Sequence, residues 1–275
     1  MSIFGKGTET YLYLNGITPL ERVDLSDGVV LLPASCKPNP DDIIAKSRSE
    51  IDIGVACVFL RSVSACLRIT ADSPKELAFK TWNSQWDAIL LSALLDCEIS
   101  FNFQADVPPE NFVEAKDFHV TNYAFKGLNR GKLKKVTPAK QRWITDHYKS
   151  AKVLMDEDRY SDAVHCLWSY RWHSIPRAQL ALLWSGIEGL FGVNNELSFR
   201  LSLYAARFLS PRSRTRQKAI FSSTKKLYSV RSKAVHGGKL EDTSQSVERS
   251  VDLLRELVMK CAMRESLPKT DELAP

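Results

Sequence analysis

Residues 1–128 alternate between short apolar runs and turn signals, a pattern typical of a domain that mixes strands and helices. The stretch TYLYLNGI alternates apolar and polar positions and ends in Asn-Gly, which predicts a strand followed by a turn. EISFNFQADV alternates in the same way and stops before two prolines, which predicts a second strand. The run IDIGVACVFLRSVSACLRITA is apolar and rich in β-branched residues, but its periodicity does not separate helix from strand.

One helix in this half has clear boundary signals, in SPKELAFKTWNSQWDAILLSALLDC. Ser73 is the expected N-cap, Pro74 occupies the first turn, and Glu76 stands three residues after the cap. No enzyme motif accompanies this helix. FGKGTE at residues 4–9 only faintly resembles a phosphate-binding P-loop, which needs a preceding strand and another glycine four residues upstream of Gly-Lys.

The pattern becomes helical throughout after KGLNRGKLKKVTPAK, a polar and basic stretch whose glycines and proline predict a linker. We predict helices at residues 138–156, 158–171, 176–192, 196–210, from 214, and 244–265. The third, PRAQLALLWSGIEGLFG, is apolar nearly all round, as expected of a central helix in a bundle.

The predicted class is therefore α+β. A mixed α/β domain occupies residues 1–128, and an all-α helical bundle occupies residues 139–265. A linker at 129–138 joins them, and a frayed tail follows at 266–275.

The composition is that of a globular protein with a sizeable core, with 44% hydrophobic and 25% charged residues. No apolar run approaches the roughly 18–20 residues of a membrane span, and the start has no apolar segment of a secretory signal. We therefore expect a cytoplasmic protein without a membrane partner. The six cysteines are scattered without C-x-x-C spacing, at positions 36, 57, 66, 97, 166 and 261. This spacing predicts buried free thiols and neither disulfides nor a zinc site, so we expect no metal and no cofactor.

The net charge of +6 lies in the C-terminal half of the chain. From residue 136 onward there are 23 Lys and Arg against 15 Asp and Glu, a balance of +8, and the remaining 15 against 17 give −2. A basic excess of this kind suits a polyanionic partner such as nucleic acid. A modest excess is also common on solvated helices, so charge alone leaves both interpretations open.

The helix predicted from residue 214 ends in LYSVRSKAVHGG, in which four residues separate Arg231 from His236. Positions i and i+5 lie about 140° apart around a straight helix, so spacing alone does not place both side chains on one face. An ordinary helix end explains the isolated motif: a basic last turn, a histidine favourable against the negative helix end, and a glycine cap.

Three ordered stretches together resemble a HEPN domain of the Apea-like type: ALLWSGIEGLFG, LSFRLSLYAARFL and LYSVRSKAVHGG. The resemblance covers roughly residues 139–265. It implies a helical bundle that forms a homodimer and is frequently a metal-independent endoribonuclease, with two R…H motifs meeting in one composite site. Carried over by position, Arg231 and His236 would be the catalytic pair. Many active members have Asn, Asp or His directly after the arginine, where this chain has Ser232, which can still donate a hydrogen bond.

The chemistry implied by the resemblance is RNA transesterification. The ribose 2′-OH loses a proton as it attacks the adjacent phosphate, and the leaving 5′-oxygen gains one. Histidine as a residue type can move such protons near neutral pH, and arginine offers forked donors to the phosphorane oxygens. DNA lacks the 2′-OH, so this mechanism selects RNA.

Supporting residues have structural explanations beside functional ones. Glu188 is a lone charge in an apolar helix, which needs a partner; it could orient Arg231 or Arg200, or form a structural ion pair. Tyr228 precedes Arg231 by one turn and could line the site or pack in the core. Basic residues that could contact the RNA backbone, or simply be solvated, are Arg212, Arg214, Arg216, Lys218, Lys225, Lys226 and Lys233.

Two functions follow as hypotheses. The first is a homodimeric endoribonuclease of toxin or antiphage-defence type, whose residues 1–128 respond to an activating ligand or protein. The alternative is a non-catalytic HEPN-like module for dimerisation or RNA binding.

Overall fold

The computed structural model describes residues 5–47, 49–121, 134–193, 195–238 and 243–274. The chain forms two compact units, Met1–Lys149 and Ser150–Pro275. In the described residues, the first unit contains a sheet and helices, whereas the second is helical. The α+β class predicted from the sequence is therefore confirmed.

The first unit is built on a six-stranded antiparallel sheet with the order β3-β4-β5-β1-β6-β7. A separate parallel pair joins β2 to β8. The strands are β1 Glu9–Asn15, β2 Ile17–Thr18, β3 Val23–Ser26, β4 Val29–Pro33, β5 Val63–Thr70, β6 Ser100–Ala105, β7 Phe118–Val120 and β8 Lys134–Lys135.

The sheet has helices on both faces. Tyr11 and Tyr13 of the central strand β1 belong to a buried cluster that includes residues of helices α1 (Pro40–Lys46) and α2 (Glu50–Phe59). Successive side chains of a strand point to opposite faces, and helix α3 (Pro74–Leu95) packs against β1, β5 and β6. This arrangement buries nearly all of β1.

The ambiguous apolar run after residue 50 contains both a helix and a strand. Helix α2 begins after Ser49, whose side chain accepts a hydrogen bond from the Asp52 N–H, and it ends at Phe59. A 3₁₀ turn then leads into β5. Residues of both elements pack into one core, and the exposed positions Ile51 and Val58 of α2 are apolar too, so periodicity could not divide the run.

Local capping signals predicted α3 correctly. The Ser73 hydroxyl accepts a hydrogen bond from the Glu76 N–H at 3.3 Å, and the Glu76 carboxylate accepts one from the Asp72 N–H at 3.2 Å. The first bond satisfies an amide that the helix itself leaves unpaired, and the second joins the helix to the residue before its cap. The helix ends at Leu95, after which Asp96 adopts a left-handed conformation.

The first compact unit extends to Lys149, past the predicted linker at 129–138. Residues 129–133 of the predicted linker lie outside the described residues, and its remainder forms β8 and the start of helix α4 (Pro138–Leu154). Tyr148 of α4 is buried and donates a hydrogen bond to the Asp87 carboxylate of α3. Residues 139–149 therefore belong to the first unit, because their contacts are made with residues far away in the sequence.

The second unit packs its helices around α6. These helices are α5 Asp158–Ser169, α6 Pro176–Phe191, α7 Leu197–Leu209, α8 Arg214–Val235, α9 Thr243–Arg264 and α10 Thr270–Leu273. Helix α6 contacts α5, α7, α8 and α9. At Gly186 a Cβ would lie 3.1 Å from both Cys166 and Leu254, so glycine allows α6 to approach its neighbours closely.

The C-terminal segment differs from the predicted frayed tail at 266–275. Residues 270–273 form α10, in which Leu273 is buried. The Arg207 guanidinium of α7 donates hydrogen bonds to the backbone carbonyls of Leu273 and Ala274 at 2.7 and 2.6 Å. A cation that binds carbonyls at the end of a helix is favourable for local charge reasons, but the sequence does not show which arginine does so.

All six cysteines are free thiols, and five of them are buried, with Cys57 half-buried. Burial raises the pKa of the Cys66 and Cys261 thiols to about 12. The expectation of buried free thiols is therefore confirmed at five of the six positions. In the part of the chain that the structure describes, no helix has the length and apolar character of a membrane span.

Candidate active site at the end of helix α8

The C-terminal end of α8 is closed by a glycine cap. Its final backbone bonds join the His236 N–H to the Ser232 carbonyl at 3.0 Å and the Gly238 N–H to the Lys233 carbonyl at 2.8 Å. Gly237 has φ +79°, the left-handed conformation that this type of cap requires and that glycine adopts without steric cost. The side chain of His236 is exposed to solvent just beyond the last turn.

An arginine that the sequence analysis did not single out secures the same helix end. Arg177, in the first turn of α6, donates to the carbonyls of Lys233, Ala234 and Gly238 at 3.3, 2.9 and 2.6 Å. These carbonyls belong to the last turn and cap of α8, where partial negative charge accumulates. Arg177 therefore joins the segment that contains His236 to the first turn of α6. Its only sequence signal was its place after Pro176.

Arg231 forms an ion pair with Glu188 of α6. Its Nη2 lies 3.0 Å from Oε1 and 3.2 Å from Oε2 of that carboxylate. The two side chains are only 18% and 20% exposed, so the pair is largely removed from water. Of the two partners proposed for Glu188, the structure therefore selects Arg231; Arg200 instead pairs with Glu196.

Burial dominates the electrostatics of this pair. It raises the pKa of Glu188 above its ordinary value, and the nearby Arg231 only partly offsets that shift. Burial likewise raises the pKa of the Tyr228 hydroxyl. Arginine stays charged under all ordinary conditions, so the cluster holds a fixed cation next to a carboxylate whose ionisation is opposed by its surroundings.

Tyr228 joins this cluster to the core. The Arg231 guanidinium lies over the Tyr228 ring, 5.7 Å from its centre, and the same ring packs edge-on against Trp184 at 5.4 Å. The indole of Trp184 is fully buried and donates a hydrogen bond to the Ser250 hydroxyl at 3.1 Å. Tyr228 therefore packs in the core and contacts Arg231, so both interpretations of this residue have a structural counterpart.

His236 is separate from the cluster. Within the described residues, no hydrogen bond, ion pair or ring contact joins it to Arg231, to Glu188 or to Tyr228. Arg231 points toward α6, whereas His236 lies exposed at the helix end. Ser232, between them in sequence, is half-buried and its carbonyl accepts the His236 N–H. One copy of the chain thus contains both members of the R…H pair without contact between them.

The predicted RNA-binding residues lie along α8 and the turn before it. Helix α8 contains seven Lys and Arg residues and no Asp or Glu. Arg212 lies in the preceding turn, and Arg214, Arg216, Lys225, Lys226 and Lys233 lie on the helix; all six are exposed. The structure therefore presents the predicted basic residues to solvent.

In the described ranges, no group of three or more His, Cys, Asp or Glu residues could hold a metal ion. The three stretches that resemble a HEPN domain form parts of α6, α7 and α8, and α6 and α8 supply the Glu188–Arg231 pair. Comparison of the chain with protein-family models, with curated proteins and with solved structures found no match.

Proposed function

We propose that this protein is a metal-independent endoribonuclease of the HEPN type, which cleaves RNA by attack of the 2′-OH on the adjacent phosphate. One observation carries the proposal. The end of a helix without carboxylates presents an exposed histidine, His236, within two turns of an arginine that Glu188 holds in place. These are the groups that a metal-free transesterification needs: a proton carrier and a fixed cation.

In this proposal the two side chains have distinct roles. His236 removes the proton from the 2′-OH or returns one to the 5′-oxygen, and Arg231 donates hydrogen bonds to the phosphorane oxygens, where negative charge develops. A guanidinium has five N–H donors, and the Glu188 carboxylate engages the Nη2 group. The Nε–H is buried, so the Nη1 donors are the ones that remain for a phosphate, while Glu188 restricts the orientation of the group.

We further propose that two copies of the chain form a homodimer with a composite site. Within one copy Arg231 and His236 are not in contact, and a second copy would place its own α8 end against the first. Three further parts of the proposal follow from the resemblance to HEPN domains. The protein is cytoplasmic, it acts as a toxin or in antiphage defence, and its first unit regulates activity when a ligand or protein binds to it.

The test uses the full-length protein incubated with total RNA in EDTA. We expect the wild type to cleave RNA and to leave 2′,3′-cyclic phosphate ends. His236→Ala and Arg231→Ala should each lower the rate by at least about 100-fold, the usual size of a general acid–base or oxyanion contribution. His173→Ala is the matched control, because His173 is also exposed and lies in the same unit.

Arg231→Ala also removes an ion pair, so folding must be checked by circular dichroism and thermal unfolding. Arg231→Lys keeps the positive charge but loses the forked N–H donors of the guanidinium, and it serves as the conservative variant. Equal cleavage by the wild type, His236→Ala and Arg231→Ala would sink the catalytic assignment, as would the absence of cleavage by the wild type under any activating condition.

The second candidate is a non-catalytic RNA-binding or dimerisation module. The low exposure of Arg231, 18%, favours it, because a catalytic arginine must reach the phosphate whereas a packing arginine need not. This candidate predicts RNA binding without any cleavage, and binding that His236→Ala leaves unchanged.

A further inference from the structure

We propose that the groove between α7 and α8 binds single-stranded RNA and guides it toward the end of α8. This inference rests on the proposed function, since it names how the RNA substrate would be held. It also concerns surface residues that the Arg231 cluster does not use.

The groove has the chemistry of a polyanion site. Its volume is about 530 Å³, and among the described residues its lining includes Arg207, Arg214 and Lys218 and no carboxylate. Arg207 is engaged with the carbonyls at the C-terminal end of α10, which leaves Arg214 and Lys218 as the exposed cations of the groove. A groove lined by one sign of charge attracts the opposite charge and concentrates it locally.

Aromatic rings lie beside these cations. Phe221 lines the groove, and Phe199 of α7 packs edge-on against it with ring centres 5.8 Å apart. Phe199 is 51% exposed, so its ring is accessible from solvent. The ammonium of Lys225 lies 6.0 Å from the centre of the Phe221 ring. Aromatic faces next to a cationic track are the arrangement by which proteins bind unpaired bases and their backbone.

The start of α8 is charged against the usual preference of a helix. Its first turn contains Arg214 and Arg216 and no acidic residue, although the N-terminal end of a helix has partial positive charge. A sequence that breaks a local rule commonly does so at a functional position. Phosphate groups bound beside this turn would offset the repulsion.

The opposite side of α8 does not suit RNA. There a second groove is lined by Arg216 and Arg249 but also by Asp252 and Glu256 of α9, so its charges of opposite sign are equal in number. Carboxylates repel phosphates, so the two sides of α8 differ in the ligand they favour. On the α7 side, Arg214, Lys218 and Lys225 fall within about 40° of each other around the helix axis. This stripe leads along α8 toward His236, about 33 Å from Arg214 at the helical rise per residue.

Binding should be measured in the His236→Ala background, so that RNA remains intact. The probe is a fluorescent single-stranded RNA of about 12 nucleotides, within the range of known single-strand sites. Anisotropy titrations at several salt concentrations would compare Lys218→Gln/Lys225→Gln with Lys37→Gln/Lys75→Gln. The second pair removes the same charge from exposed positions of the first unit. Phe221→Leu keeps the apolar volume and removes the ring.

We expect Lys218→Gln/Lys225→Gln to weaken binding and to reduce the salt slope by about 1.4, or 0.7 for each lost phosphate contact. Phe221→Leu should weaken binding about 10-fold with an unchanged slope, because stacking is not ionic. Lys37→Gln/Lys75→Gln should change the affinity and the salt slope less than Lys218→Gln/Lys225→Gln does.

The proposal is overturned if both lysine pairs have equal effects, if Phe221→Leu binds like its parent, or if polyglutamate competes as well as RNA. These outcomes are distinct from a failure of the proposed function. If the wild type cleaves RNA but the groove variants bind RNA normally, only the groove proposal is contradicted. If RNA binding depends on the groove but no cleavage occurs, only the ribonuclease proposal is contradicted.

Discussion

The Glu188–Arg231 ion pair links the stability of the bundle to the candidate site, and a double-mutant cycle measures this link. Two opposite charges 3.0 Å apart attract by about 5 kcal/mol at an effective dielectric constant near 20. Burial opposes this attraction, and it raises the pKa of Glu188 in spite of the neighbouring cation. The net coupling is therefore far smaller than the attraction, and we expect about 1–2 kcal/mol.

Each single variant should lose more free energy of unfolding than the coupling energy between the two side chains. Glu188→Ala leaves Arg231 charged and without its carboxylate in a largely buried position, and we expect a loss of about 2 kcal/mol. Arg231→Ala leaves Glu188 buried, but this carboxyl can take up a proton, which limits the loss. The double variant should therefore be less destabilised than the sum of the two single variants.

Urea unfolding followed by tryptophan fluorescence is a suitable assay, because Trp184 packs against Tyr228 next to the pair. The matched control is the pair Glu196 and Arg200, which is more exposed and joins the N-cap residue of α7 to its first turn at i,i+4 spacing. Its coupling should not exceed about 0.5 kcal/mol. A coupling between Glu188 and Arg231 that is no larger than this control would refute the reasoning.

Four further predictions concern the same unit and the cysteines. Because burial holds the pKa of Glu188 above its ordinary value, the folded state binds this proton more tightly than the unfolded state does. The protonated Glu188 carboxyl contributes stability at low pH, and this contribution is lost as the pH rises through the raised pKa. Urea unfolding at a series of pH values should therefore show the wild type losing stability relative to Glu188→Gln. Gly186→Ala should destabilise by about 1–3 kcal/mol because an added Cβ would crowd the neighbouring helices. Gly189→Ala, whose Cβ would meet open space, should stabilise by about 0.5–1 kcal/mol. Thermal unfolding midpoints that shift in the same direction for both variants would contradict the packing. Arg177→Ala should lower stability by about 1–3 kcal/mol and reduce RNA cleavage, because the carbonyls at the end of α8 lose their hydrogen-bond donor. An unchanged free energy of unfolding would show that these bonds do not hold the helix end. In a thiol-reagent titration of the native protein, Cys57 should react first, and fast reaction of the buried thiols would indicate local opening.

The boundaries of most helices could be predicted from the sequence, because the signals that define them are local. Ser73 and Glu76 satisfy backbone amides within one turn of themselves, and Gly237 ends α8 through its own backbone conformation. The apolar WSGIEGLFG stretch likewise predicted the central helix of the bundle, since a helix that is apolar on all sides must be surrounded by others. The same reasoning failed between residues 51 and 71. The strand there is buried, and the exposed face of the helix carries the apolar residues Ile51 and Val58, so no polar face reveals either period.

The tertiary structure alone decided which distant residues meet. Glu188 and Arg231 are 43 residues apart, and no local pattern distinguishes Arg231 from Arg200 as the partner. The contact of Arg177 of α6 with the end of α8 and that of Tyr148 of α4 with Asp87 of α3 are decided in the same way, by packing between elements. Capping and periodicity depend on neighbours within a few residues, so a sequence displays them directly. An ion pair, a helix-end contact or the difference between two grooves depends on how whole helices pack, and only the folded chain determines that.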